Sequence, residues 1–364
     1  MLYDQILRLS AEEAVSDFHI NEGDFLWVRK AGQLRRMEQD AARVSREGIL
    51  DLLRRNESHT GIKASKVNEL LEESGDRDFA VKVGTRRFRA NLYWCNGQRL
   101  AMVLRQQPES APGIESLGLP ESFMPLLKQS RGLILVTGAT GSGKTTTLAS
   151  SLEYLNETLS GHIITLEDPV EYLIKSKRCR VDQRQIGRDV TSFHLGLRAA
   201  LQQDPDVLLV GELRDFETVK TALDAANTGH LVMGTLHTNS AQQTIERITS
   251  FFSDDRREWA HAVLAQALLG IMSQTLVPNV KGDGRVLAAE ILVNTPDVKQ
   301  VIREGRTHQL FNAMDTGSSR GQVLLNKVLT NLVKTRAITA EAAVHAAYDA
   351  TSLKKDLHRE SNRN

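Results

Sequence analysis

The chain has 364 residues, which suits about two domains. Lys and Arg total 46 against 45 Asp and Glu, a formal net charge of +1, so the balance gives no support for a non-specific nucleic-acid binder. Hydrophobic residues make up 41% and charged residues 25%, as in an ordinary globular protein, and no apolar run approaches the ~20 residues that span a bilayer.

The first residues, MLYDQILRLSAEEA, do not form a signal peptide, and the two cysteines, Cys95 and Cys179, suit a reducing compartment and cannot build a four-cysteine zinc site. The expected location is therefore the cytoplasm, with any membrane link indirect. Asp24–Arg29 (DFLWVR) and Arg86–Tyr93 (RRFRANLY) alternate polar with apolar residues and predict strands with one wet face. Ser45–Arg54 and Val67–Glu73 read as helices. Residues 1–107 are then a small α+β domain. Gln107–Pro120 (QPESAPGIESLGLP) holds three prolines and two glycines and interrupts every periodic pattern, which makes 108–120 a linker.

From 121 onward, short apolar runs alternate with helical patterns. Leu133–Val136 reads as a buried parallel strand, and Leu148, Leu152 and Leu155 mark a helix stripe. Between them, Gly138, Ala139, Thr140, Gly141, Ser142, Gly143, Lys144 and Thr145 fill every fixed position of G-x-x-x-x-G-K-[ST]. Glycines let backbone N–H groups close around phosphate oxygens, and the helix end adds its positive dipole. Lys144 would reach the β/γ-phosphates, and the Thr145 hydroxyl would hold Mg2+. With Thr146 at the helix start, this is a binding site for ATP or GTP.

Three further apolar runs, His162–Leu166, Val207–Val210 and His230–Thr235, end near Glu167-Asp168, Glu212 and His237. Ligands bind at the carboxyl ends of parallel strands, so these groups should surround the phosphates. Glu212 is assigned to Mg2+ and Glu167 to the attacking water, and the two roles are exchangeable on sequence alone. Gly211 occupies the strand end where many P-loop proteins place an Asp. His237 is a packing residue, a sensor of the γ-phosphate or a contact to the next subunit, and His230, at the strand start, is structural or conformational. Thr218–Thr228 has Val219, Ala222, Leu223 and Ala226 on one helix face, stopped by Gly229. From about Arg256 the chain reads as helices broken by one strand, Arg285–Val293, and the last residues, SLKKDLHRESNRN, as a frayed end. A guanidinium brought to the γ-phosphate from a second domain or subunit supplies much of the rate acceleration. Arg86, Arg87, Arg89, Arg99 and Arg105 precede the linker, with Arg86 and Arg99 read as solvated strand edges.

Taken together, GATGSGKT (138–145), ITLEDPVEY (164–172), LRAALQQDPDVLLVGELRD (197–215) and TGHLVMGTLHTNSA (228–241) resemble the Walker A, Asp box, Walker B and His box of the secretion ATPase superfamily. Ser16-Asp17-Phe18-His19-Ile20 resembles the SDxH segment that opens the family's N-terminal domain. Arg87-Phe88-Arg89-Ala90-Asn91 and Leu104-Arg105 match stretches from which that domain supplies arginines, which points to Arg89 and Arg105. VNTPDVKQVIREGRTHQL (293–310) is similar to the C-terminal segment of PilT-type pilus retraction motors, although those usually carry something closer to AIRNLIRE. Gln202 stands where relatives commonly have a second arginine.

The resemblance implies a PAS-like α+β N-terminal domain, then a RecA-like P-loop domain (121–364) with C-terminal helices. It implies an ATP- and Mg2+-dependent homohexameric ring at the inner face of the bacterial inner membrane. There the ring would act on a pilus platform protein, with a second pilus ATPase as a further partner and no nucleic acid. Assembly motors usually add a longer N-terminal region and a four-cysteine subdomain, which favours the retraction branch. The alternatives are an accessory pilus ATPase, a type IV secretion system ATPase, a DNA-dependent RecA-like motor, and a scaffold that only binds nucleotide.

Overall fold

The computed structural model describes residues 2–12, 15–30, 32–38 and 43–361. Their contacts fall into two units, one comprising residues up to Ser110 with Glu171–Leu173, the other Ala111–Val170 with residues from Ile174 onward.

The first unit is an antiparallel sheet of six strands: β1 (Val15–Asn21), β2 (Trp27–Lys30), β3 (Gln33–Arg36), β4 (Asp76–Val83), β5 (Arg86–Cys95) and β6 (Arg99–Gln106). Their order is β3-β2-β1-β6-β5-β4. Side chains alternate across a strand, so β1 places Phe18 and Ile20 on one face and Asp17 and His19 on the other. The apolar face packs under helices Leu2–Ser10, Arg46–Arg54 and Val67–Ser74, through Ile6, Leu9, Ile49, Leu52, Leu53 and Leu71. Each such side chain, fully buried, contributes ~1.5–3 kcal/mol. Ser45 caps the second helix by accepting from the Gly48 N–H. The strand expected over Asp24–Arg29 begins only at Trp27. Asp24 holds the chain in a turn before it, accepting from the Phe25 N–H at 2.7 Å and Trp27 Nε1 at 3.1 Å.

The second unit is a seven-stranded sheet: β7 (Gly132–Thr137), β8 (His162–Glu167), β9 (Arg180–Gln185), β10 (Val207–Val210), β11 (Leu231–Leu236), β12 (Leu268–Pro278) and β13 (Arg285–Val293). The order is β13-β12-β7-β11-β10-β8-β9, and every pairing is parallel except β12 with β13. Helices cover both faces. Leu133 and Leu135 of β7 pack into a layer with Leu197, Leu223, Ile245 and Leu264, whereas Ile134 and Val136 pack with Phe123, Leu148, Leu152 and Leu155. Both faces buried is why these strands read as continuous apolar runs.

Two expectations for the C-terminal part are corrected. Leu268–Pro278, read as helix, is β12, lying between β7 and β13. The tail, read as frayed, is helical as far as it is described, in the helix Ala350–Ser361, whose Leu353 is buried with Leu329, Ile338 and Val277; 362–364 of that reading lie outside the described residues. Leu353, with the partly buried Leu357 packed against the same cluster, anchors the helix.

Candidate nucleotide site

The carboxyl ends of β7, β8, β10 and β11 lie in line, because Val210 is registered with both Leu166 and Gly234, and Leu236 with Thr137. Glu167 closes β8, Glu212 lies two residues beyond β10, and His237 directly follows β11. The loop of residues 138–143 leaves β7 and enters the helix Lys144–Thr158. Sheet topology thus delivers all four segments to one edge.

The loop is held through the carbonyls of Gly138, Ala139 and Ser142. Lys144 Nζ donates to the carbonyls of Gly138 at 2.8 Å and Ala139 at 3.1 Å. Gln274 Nε2 donates to the Ser142 carbonyl at 2.8 Å. Gln274 is itself buried, and a Cβ at position 138 would meet its backbone oxygen at 2.3 Å, so only glycine lets the loop pass this close. Burial pulls the Lys144 ammonium below its ordinary pKa, while the Glu212 carboxylate opposes that shift. Thr145, in the first turn of the helix, makes no hydrogen bond through its hydroxyl among the described residues.

His237 links the lysine to the acid. Its Nδ1 is 3.5 Å from Lys144 Nζ and its Nε2 3.5 Å from Glu212 Oε1. An ammonium can only donate, so Nδ1 is the acceptor and the ring proton sits on Nε2, facing the carboxylate. The other carboxylate oxygen, Oε2, accepts from Arg214 Nε at 2.7 Å. The acid falls at 212 and not 211 for a steric reason: a Cβ on Gly211 would come within 2.9 Å of the Leu166 carbonyl. Glu167 is buried, and its Oε1 accepts from Thr165 Oγ1 at 2.6 Å and Gln183 Nε2 at 3.1 Å.

Behind these groups, Thr137 Oγ1 lies 2.8 Å from Ser273 Oγ and 3.5 Å from Thr244 Oγ1. Thr244 in turn lies 2.7 Å from Thr238 Oγ1 and donates to the Ser240 carbonyl at 2.7 Å. Hydroxyls therefore join the end of β7 to the segment after His237. Glu290 Oε1 accepts from the Ala241 N–H at 2.9 Å at the start of helix Ala241–Ser250.

Arg89 and Arg105 stand on the N-terminal sheet and have partners there, Asp78 at 3.0 Å and Asp17 at 2.7 Å. His230 Nδ1 donates to the Ala225 carbonyl at 3.0 Å, tying off the end of helix Phe216–Thr228. Gln274, Thr165 and Gln183 were not singled out in the sequence. Thr165 carried a signal, being two residues before Glu167 on the same strand face, whereas Gln183 and Gln274 carried none.

The family model described as type II/IV secretion system protein matches residues 73–363. The chain belongs to that family. Among relatives of this secretion ATPase family member, the type IV pilus retraction ATPase PilT of Pseudomonas aeruginosa is 40% identical over 343 residues, covering 93% of this chain and 96% of the relative. A protein of Escherichia coli strain K12 described as uncharacterized, YggR, is 42% identical over 323 residues, covering 89% and 95%. The crystal structure of the pilus retraction motor PilT with bound ADP superposes at a TM-score of 0.87 with 42% identity, covering 96% of this chain and 98% of that one. The architecture is thus the α/β one of that motor, a PAS-like N-terminal domain followed by a RecA-like ATPase domain.

Proposed function

We propose that this chain is the ATPase motor of type IV pilus retraction, hydrolysing ATP to ADP and phosphate as a homohexameric ring at the cytoplasmic face of the inner membrane. The observation that carries the reading is the meeting of loop, two acids and histidine at one sheet edge, in a chain 42% identical to a retraction motor whose structure holds ADP. Among the described residues, no helix is long and apolar enough to cross a membrane, which fits docking through a platform protein.

In this reading residues 1–107 are the PAS-like domain, 108–120 the linker and 121–364 the motor domain. The N–H groups of Gly138–Thr146 bind the phosphates, and Lys144 moves from the loop carbonyls to the β/γ-phosphates. Glu167 orients the attacking water and takes its proton as the bond from the γ-phosphorus to the bridging oxygen breaks. His237, between Lys144 and Glu212, responds to the γ-phosphate. The Thr145 hydroxyl and Glu212 carboxylate are hard oxygen donors of the kind that hold Mg2+. The ion, when bound, neutralises charge on the β- and γ-phosphates. Arg89 and Arg105 serve the nucleotide of a neighbouring subunit.

Deleting the gene and counting surface pili tests the direction of work. More pili with lost twitching motility is the expected result, and bald cells would overturn it in favour of assembly. ATPase stimulation by DNA exceeding that by the platform protein would mark a nucleic-acid motor instead.

A further inference from the structure

One row of charge crosses four strands of the N-terminal sheet. Arg89 of β5 is registered with Arg105 of β6, Arg105 with Asp17 of β1, and Asp17 with Arg29 of β2. Directly registered residues share a face, here the one opposite Phe18 and Ile20.

The arginines of this row are held differently. Arg89 Nη2 contacts Asp78 Oδ2 at 3.0 Å with both side chains about half exposed, a pair that water screens. Arg105 donates through Nε to Asp17 Oδ1 at 2.7 Å, and here only the acid is buried: the Asp17 side chain is 7% exposed and that of Arg105 73%. Asp17 is gripped from its other oxygen too, where Ser16 Oγ donates at 2.7 Å and Arg29 Nε lies 3.9 Å away. Burial pushes the Asp17 carboxyl up, but the Ser16 and Arg105 hydrogen bonds outweigh it and keep the group ionised below its ordinary range.

A guanidinium is a planar fork, so fixing Nε fixes the plane in which the two terminal amino groups lie. The Arg105 side chain stays largely in water, 73% exposed beside an acid that is almost wholly buried. We infer that Asp17 is a positioning residue for Arg105, setting the guanidinium so that its terminal amino groups meet a phosphate oxygen as a ready-made fork. The inference rests on the reading that Arg105 serves a neighbouring subunit's nucleotide. Preorganised donors cost no rearrangement when charge develops, so the effect belongs to kcat and not to KM.

The test measures ATP turnover of assembled full-length rings for Arg105→Ala, Asp17→Asn and the double variant, with ring assembly followed by size-exclusion chromatography. Arg105→Ala should lower kcat by about tenfold or more. Asp17→Asn should lower kcat by about threefold or more with little change in KM, and add nothing to Arg105→Ala, because it acts through the same guanidinium. An unchanged kcat in Arg105→Ala would remove the arginine reading and this inference with it. A normal kcat in Asp17→Asn beside a slow Arg105→Ala would overturn the positioning role alone, as would losses that multiply in the double variant. If Asp17→Asn fails to fold or assemble, Ser16→Ala takes its place, since it removes a donor to Asp17 and keeps both charges. It should lower kcat in the wild-type background and not in the Arg105→Ala background, and no change in either would also overturn the positioning role.

Discussion

On the proposed reading Lys144 is the residue on which nucleotide chemistry turns; its ammonium lies within the loop at 2.8 Å from the Gly138 carbonyl. Lys144→Ala should abolish ATP turnover, and near-normal activity in a steady-state assay would refute the site. Glu212→Gln should still bind ATP in an equilibrium assay but slow hydrolysis by about tenfold or more, ~1.4 kcal/mol of barrier. Gln274→Leu should loosen the loop by removing the donor to the Ser142 carbonyl. Loss of one hydrogen bond worth ~1 kcal/mol corresponds to about a fivefold rise in the dissociation constant for ATP, measurable by titration. Lys144 and Glu212 were legible in the sequence because each sits at a fixed distance from an apolar run. Gln274 was not, because its clamp depends on β12 lying beside β7, a pairing between residues more than a hundred positions apart. Gly211 is intermediate: the missing Asp could be seen, but its reason, a carbonyl of the neighbouring strand within 2.9 Å of where a Cβ would be, lies in the packing.

At the scale of elements, β8, β10 and β11 were readable as short apolar runs, and β13 was found at its full length. Their neighbour β12 was missed because it is buried on both faces and so shows no two-residue alternation, while the alanine-rich helix before it runs straight into the strand. That strand's partner carries a testable group. Glu290 of β13 is buried, and its carboxylate accepts from the N–H groups of Ala241 and Leu325, at the starts of two helices. Two such donors favour the charged form, yet burial wins and pushes the carboxyl from its ordinary 4.5 up to about 7. Because the folded chain binds this proton more tightly than the unfolded one, its contribution to stability is complete below about pH 4.5 and lost as the pH rises through 7. The span amounts to on the order of 3 kcal/mol. Unfolding free energy measured from pH 5 to pH 8 should therefore fall less steeply in Glu290→Gln than in the wild type, and an unchanged slope would show that Glu290 does not titrate in this window.

For the molecule as a whole, the contacts divide the chain after Ser110, within the proline- and glycine-rich stretch at 107–120, whereas the placement of Glu171–Leu173 with the N-terminal unit could not be read from the chain order. Assembly has its own signature. Among the described residues Arg89 pairs with the half-exposed Asp78, so on the proposed reading Arg89→Ala should depress turnover in rings and leave the residual rate of isolated subunits untouched. Equal losses in both forms, compared after size separation, would remove the role in a neighbouring site. The loop lysine, finally, changes what an affinity for such a motor means. On the proposed reading an ammonium now held by two carbonyls passes to a phosphate, which would make nucleotide arrival a substitution and not an addition. A measured dissociation constant is then the difference between two grips, and a modest value is compatible with a very firm hold on the γ-phosphate.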